Sequence, residues 1–256
     1  SFVSPRWVPQ LADATEVYQA VAKAPGVVYS ALVPNDKGMR RALDCGVTHV
    51  AIFTAASETF NQHNINASID ESLERFKPVM ARAAAAGVPV RGYVSTSFGC
   101  PYEGDVAPAA VARVSRLLAD LGVEEISLGD THGAAVPNQV PEVLAAVGKV
   151  VPLELIAVHF HDTHGRALAN VFSALLSGVS VVDSSAGGLG GCPYSPGASG
   201  NLATEDLIAM LIGMGIETGV DLDKLTDASF YVEEALGRAL PSRHLQAARA
   251  KRKQRA

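Results

Sequence analysis

The sequence predicts an α/β protein of the parallel (β/α)8-barrel type, and three observations lead there. Short β-branched apolar runs alternate with amphipathic helical patterns along the chain. The runs are nearly continuous hydrophobics, as expected when helices cover a parallel sheet. Polar residues cluster just after the strand ends, at Asn35, Asp130, His161 and Ser184, where a barrel carries its catalytic face. A doubly wound sheet is the alternative, but no Gly-rich dinucleotide fingerprint follows an early strand. With 256 residues the chain is of ordinary size for one such domain.

The strand candidates are 27–33, 49–54, 89–96, 125–128, 155–161 and 179–184. Asp13 with Glu16, and Ser68 with Glu71, have the spacing of a capping box opening a helix. In the second of these helices Leu73, Phe76, Met80 and Ala83 make one apolar face. Gly87, Gly122 and Gly178 follow helical patterns where left-handed caps are expected. Six full strands are visible, and Phe2–Val3 suits the last residues of another. An eight-stranded barrel would then lack its first β/α unit and most of its second strand. An open remnant exposes unpaired backbone. The natural protein is therefore expected to carry about 40 more residues at its N-terminus, a typical strand–helix unit. Residues 1–256 read as a single barrel domain, with an extra helix over 221–240 and a basic, frayed tail over 241–256.

Composition narrows the function. Hydrophobic residues make up 48% of the chain and aromatics 6%, enough to bury a large core. A net charge of −5 argues against broad nucleic-acid binding. Five of the seven residues from Arg249 to Arg255 are basic, which reads as a solvated end rather than an interaction arm. Cys45, Cys100 and Cys192 are widely spaced and odd in number, unlike a secreted disulfide framework. No apolar run is long enough to span a membrane and no signal peptide opens the chain, so a cytoplasmic protein is the expectation.

Two segments carry chemistry. In Val158-His159-Phe160-His161-Asp162, strand alternation points both histidines to one side and Phe160 to the other. Two imidazoles at that spacing can share a metal, or can be core histidines bonded to neighbours. The second segment is the loop Gly187-Gly188-Leu189-Gly190-Gly191-Cys192-Pro193-Tyr194, continuing to Asn201 and a helix with Glu205 and Asp206 in its first turn. A loop of that composition can approach a phosphate or act as a lid. Cys192, flanked by Gly191 and Pro193, suits an exposed, reactive thiol, whereas Cys45 suits a buried structural one.

The stretch from Val181 to Asp206 closely resembles the signature of 3-hydroxy-3-methylglutaryl-CoA lyases. Phe2-Val3-Ser4-Pro5, Trp7-Val8-Pro9-Gln10, Asn64-Ile65-Asn66, Arg91-Gly92-Tyr93-Val94-Ser95, Gly99–Gly104, Ser127–Thr131 and the His-x-His-Asp-Thr segment also resemble that family, in the right order, up to about Leu236. The resemblance implies a carbon–carbon lyase that yields acetyl-CoA and acetoacetate, in leucine degradation and ketone body formation. It implies one Mg²⁺ or Mn²⁺, with His159, His161 and Asn201 among the ligands. The family's fourth ligand, an aspartate, belongs to an Arg-Asp pair in a first strand that the residues here do not include. Cys192 matches the thiol proposed to protonate the enolate. Asp130 and Glu205 match acidic residues that support the site, which makes them expected catalytic residues beside Cys192, with helix or turn capping as the other reading. Asn64, Tyr93 and Thr131 match positions lining the substrate pocket, although Tyr93 also suits a filled barrel layer. The expected partner is an acyl-CoA, with no nucleic acid and no membrane, and a homo-oligomer stays open.

Related metal-dependent barrels, the isopropylmalate and homocitrate synthases and 4-hydroxy-2-oxoacid aldolases, share the His-x-His pattern. They lack the Gly-Gly-Cys-Pro-Tyr loop. A barrel that lost its first strand and merely binds metal is a third reading.

Overall fold

The computed structural model describes residues 1–190 and 200–255. Six strands form one sheet in sequence order: β1 (Ser30–Leu32), β2 (His49–Ala55), β3 (Val90–Ser95), β4 (Glu125–Asp130), β5 (Ile156–Phe160) and β6 (Val181–Asp183). Every neighbouring pair is parallel. Parallel neighbours need a crossover, and helices supply it. In chain order the helices are α1 (Ala14–Ala20), α2 (Asp36–Asp44), α3 (Glu58–Ile65), α4 (Ile69–Ala86), α5 (Pro108–Leu121), α6 (Gln139–Val147), α7 (Ala167–Leu176), α8 (Thr204–Gly213), α9 (Leu222–Leu236) and α10 (Arg243–Arg255).

Alternation divides each strand between two environments. Val90 and Val94, Ile126 and Leu128, and Ile156, Val158 and Phe160 are all buried in the apolar core. They share it with Val111 and Leu118 of α5, Val143 and Val147 of α6 and Val171 of α7. The opposite phase is polar: Arg91 and Tyr93 on β3, Glu125 and Ser127 on β4, His159 on β5 and Asp183 on β6. Strands β3 and β6 are three places apart, about 14 Å in a flat sheet at the usual spacing. Yet Arg91 and Asp183 form an ion pair of 2.7 Å. The sheet is therefore strongly curled, with the polar phase on its concave side, and β1 and β6 are its two edges.

Local signals hold in most places. Ser68 and Glu71 form the reciprocal capping box of α4, which ends on Gly87 at φ 63°. Gly122, at φ 99°, caps α5, and Gly178, at φ 93°, lies one residue beyond the cap of α7. The backbone N–H of Phe2 donates to the Leu32 carbonyl at 2.8 Å, so the N-terminal residues lie along the free side of β1.

Three local expectations need correction. β1 starts at Ser30 rather than residue 27, because Val27 closes a turn on Ala24 and Val28 is exposed. The Tyr29 hydroxyl pins that turn by accepting from the Ala24 N–H and donating to the Ala22 carbonyl. Asp13 precedes α1 but makes no side-chain cap. The basic segment is not a frayed tail: residues 243–255 form α10. Leu245 of α10 is fully buried, and Asp206 on α8 accepts the N–H groups of Arg243 and His244 in its first turn. Glu233 on α9 pairs with Arg249 at 2.5 Å, Asp227 pairs with Arg252, and Phe230 lies under both guanidinium groups. Two of the basic residues that looked solvated, Arg249 and Arg252, thus neutralise acidic residues of α9. No helix among the described residues is long and apolar enough to cross a membrane.

Candidate active site at the mouth of the curled sheet

The site begins at the C-terminal end of β5. His159 is its penultimate residue, and His161 follows it with the same phase, so the two rings stand 5.3 Å apart between centroids. His161 is buried, and burial, helped by the neighbouring His159, pushes its pKa down to about 4, against the pull of Asn201 and the Thr131 carbonyl. At neutral pH its ring is therefore uncharged, with a lone pair available to a Lewis acid.

Asn201 comes to this place through backbone pairing. It forms an isolated antiparallel bridge with His161, while the flanking Leu202 N–H donates to the Phe160 carbonyl. Its amide nitrogen donates to the Leu189 carbonyl at 2.8 Å, so the amide oxygen is turned the other way. Gly190, at φ 113°, makes this approach possible, because a Cβ there would overlap the Asn201 amide. Buried polar atoms normally have partners. Here Asn201 Oδ1 and His161 Nδ1 have none. Neither atom makes a well-formed hydrogen bond, although Asn201 and the Thr131 carbonyl bear on the His161 ring, and with a second imidazole beside them these side chains fit a divalent cation held by nitrogen and oxygen. Among the described residues no three His, Cys, Asp or Glu side chains lie together so as to hold a metal by themselves.

Behind His159 lies a charged layer that sequence reasoning gave no role. Asp183 Oδ2 is 3.3 Å from His159 Nδ1 and accepts from the Ser127 hydroxyl at 3.0 Å. Its other oxygen takes Arg91 at 2.7 Å. Burial acts to raise the Asp183 carboxyl, but His159 and Arg91 together bring it below its ordinary value. Arg91 also pairs with Glu125 at 2.6 Å and donates to the Tyr93 hydroxyl at 2.8 Å. The Tyr93 phenol is pushed up to about 12 by burial and by the Asp183 charge, so it stays neutral. Its ring meets His159 edge-on, which brings it to the same concave surface as the histidines. The available signal was charge in strands: Arg91 and Asp183 are the charged residues of β3 and β6.

The remaining expected residues are placed differently. Thr131 follows β4, and its hydroxyl accepts the N–H of Thr96 at 2.7 Å. Thr96 sits at φ 57°, a left-handed conformation that costs a β-branched residue energy and suits a functional turn. Asp130 ends β4 in the phase of Leu128, not of Ser127, and is fully buried. Its carboxylate accepts the N–H groups of Ala134 and Ala135, at 2.9 and 3.2 Å, which braces the turn that carries Thr131. Glu205 is also fully buried, and both its oxygens accept the Gly187 N–H, at 3.0 and 2.8 Å, while Ser229 donates to it. It ties α8 and α9 to the start of the glycine loop. Asn64 is half-buried on α3, which follows β2 at the same mouth. Cys192 lies outside the described residues.

Comparison with known proteins places this arrangement. The family profile described as HMGL-like matches residues 6–232. The mitochondrial hydroxymethylglutaryl-CoA lyase of Gallus gallus is 58% identical over 248 residues, covering 97% of this chain and 83% of that protein. A crystal structure of hydroxymethylglutaryl-CoA lyase from Pseudomonas aeruginosa superposes with a TM-score of 0.95 at 51% identity, over 98% of this chain and 83% of that one. An HMG-CoA lyase from Acinetobacter baumannii, in complex with coenzyme A and 3-methylmalate, superposes with a TM-score of 0.91 at 36% identity, over 96% of this chain and 80% of that one.

Proposed function

The chain belongs to the HMGL-like family, and from that premise we propose that it cleaves 3-hydroxy-3-methylglutaryl-CoA to acetyl-CoA and acetoacetate as a divalent-metal-dependent carbon–carbon lyase. The observation that carries the metal-dependent part is the pair of orphaned buried atoms, His161 Nδ1 and Asn201 Oδ1, beside His159. In this reading these three residues hold one Mg²⁺ or Mn²⁺. When bound, the cation supplies Lewis-acid stabilisation of the oxygen charge that develops as the bond breaks.

The chemistry then sets tasks for the protein's own groups. The C3 hydroxyl gives up its proton to a base, and C3 becomes the ketone carbon of acetoacetate. The electron pair of the C2–C3 bond passes to C2, which leaves as the enolate of acetyl-CoA and must take a proton from an acid. Cys192 is assigned that donation, and a thiol is acidic enough to serve near neutral pH. Tyr93, Thr131 and Asn64 line the substrate pocket. Tyr93 is a neutral phenol clamped by Arg91, so it offers a fixed polar edge rather than a charge. Asp130 and Glu205 act by positioning: the first sets the turn of Thr131, and the second anchors the loop that carries Cys192.

The architecture proposed is one (β/α)8-barrel domain. The open edges at β1 and β6 and the greater length of the relatives support a first β/α unit upstream, which would bring the remaining cation ligand. The test is incubation of the full-length protein with 3-hydroxy-3-methylglutaryl-CoA and Mg²⁺, following acetoacetate. Cys192→Ala is expected to lower turnover by about 10²-fold or more. Acetoacetate formation that persists without a divalent cation would refute the metal-dependent reading, and near-normal turnover in Cys192→Ala would remove the acid from the loop.

A further inference from the structure

We propose that Asp183, clamped by Arg91, is a positioning residue that holds His159 as its Nδ1–H tautomer and so leaves Nε2 as the donor to the cation. The inference rests on the reading of His159, His161 and Asn201 as ligands and extends it one layer into the protein.

A neutral imidazole carries one proton, and its partner decides where. An ionised carboxylate only accepts hydrogen bonds. Asp183 Oδ2 lies 3.3 Å from His159 Nδ1, so that bond requires the proton on Nδ1. The geometry is set by the sheet, because His159 and Asp183 are direct register partners on β5 and β6. Asp183 itself has little freedom. Ser127 donates to the same oxygen from β4, and Arg91 takes the other from β3. Arg91 is suited to this work because a guanidinium presents several donors in a fixed plane, which an ammonium does not. One side chain thereby fixes both the carboxylate behind the imidazole and the hydroxyl of Tyr93.

Charge points the same way. With His159 neutral, the layer holds one guanidinium against the carboxylates of Glu125 and Asp183, a net negative charge that favours a cation at the mouth. A half-buried cluster of this kind is weak evidence of stabilisation by itself, since desolvation offsets most of the attraction. Groups behind a ligating histidine typically change metal affinity by about 10–100-fold when altered. A merely structural layer of barrel-filling side chains would change the melting temperature without selecting a tautomer.

Two readouts separate these cases, neither of which is turnover. Long-range ¹H–¹⁵N correlation spectra of the metal-free full-length protein, labelled at histidine, report which ring nitrogen of His159 carries the proton, with His159→Ala assigning the signal. Binding of Mn²⁺ is followed by electron paramagnetic resonance. The wild-type spectrum should show the Nδ1–H form. Asp183→Asn, which keeps the shape and removes the charge, should abolish that preference and weaken Mn²⁺ binding by about 10–100-fold. Arg91→Lys, which keeps the charge and loses the fork, should weaken binding less. An Nε2–H tautomer in the wild type overturns the proposal even if no variant folds. So does wild-type Mn²⁺ affinity in a folded Asp183→Asn protein whose His159→Ala counterpart has lost binding. If His159→Ala binds Mn²⁺ like the wild type, the ligand reading fails first and takes this inference with it.

Discussion

Replacing Asp130 with asparagine should change how folding stability depends on pH, and the sign follows from where the carboxyl sits. Asp130 is fully buried, and burial pushes its pKa from 3.8 up to about 6, against the opposing pull of the Ala135, Ala134 and Gly133 N–H groups and of Arg166. A carboxyl raised on folding holds its proton more tightly in the native state than in the unfolded chain. Its stabilising contribution is complete below the unfolded value and is lost as the pH rises through the folded one. A difference of about two pKa units corresponds to about 3 kcal/mol. The substituted amide would have no proton to release, so this pH-dependent contribution disappears in the variant. Loss of one acceptor at the turn adds a pH-independent cost of about 1 kcal/mol. The stability of the wild type minus that of Asp130→Asn should therefore fall by about 3 kcal/mol between about pH 4 and about pH 7. Urea unfolding of both proteins in the presence of a chelator measures it. A difference that stays flat with pH would show that the carboxyl ionises alike in both states. A difference that grows with pH would show that the turn amides outweigh burial and that the reasoning is wrong.

Two further outcomes follow from the packing. Gly187→Ala places a Cβ onto Leu240 at a residue of φ 62°, so thermal melting should show a loss of about 1–2 kcal/mol from the backbone alone, with more from the overlap. The Glu205 bond to the Gly187 N–H should loosen with it, and turnover should fall more than Mg²⁺ affinity. Leu245→Ala should destabilise the protein by about 2–5 kcal/mol in urea unfolding, because Leu245 is the fully buried side chain with which α10 docks. An unchanged midpoint would return that segment to the frayed tail the sequence suggested.

Much of the fold could be read along the chain because its signals are local. Alternation in β3 to β5, the Ser68–Glu71 box and the Gly87 and Gly122 caps each depend on residues within a turn or two. The same period of two puts His159 and His161 on one side of β5. Where a local pattern is compatible with two structures, distant contacts decide between them. Val27 and Val28 look like strand residues, and no local rule says that the Tyr29 hydroxyl closes a turn there. The helix of 243–255 depends on Asp206, Asp227 and Glu233, which are distant in sequence.

The sequence by itself determined the phase of each strand, the order of its elements and, through its motifs, the family. It could not determine which polar residues meet. Asn201 is 40 residues from His161, and Asp183 is 92 residues from Arg91. A periodic pattern carries a side chain's orientation along its own strand and holds no information about curvature across strands. Only the curled sheet brings β3 to β6 and the 200–202 segment onto the end of β5. The ion-paired layer behind His159 and the two unpartnered atoms beside it are consequences of that curvature.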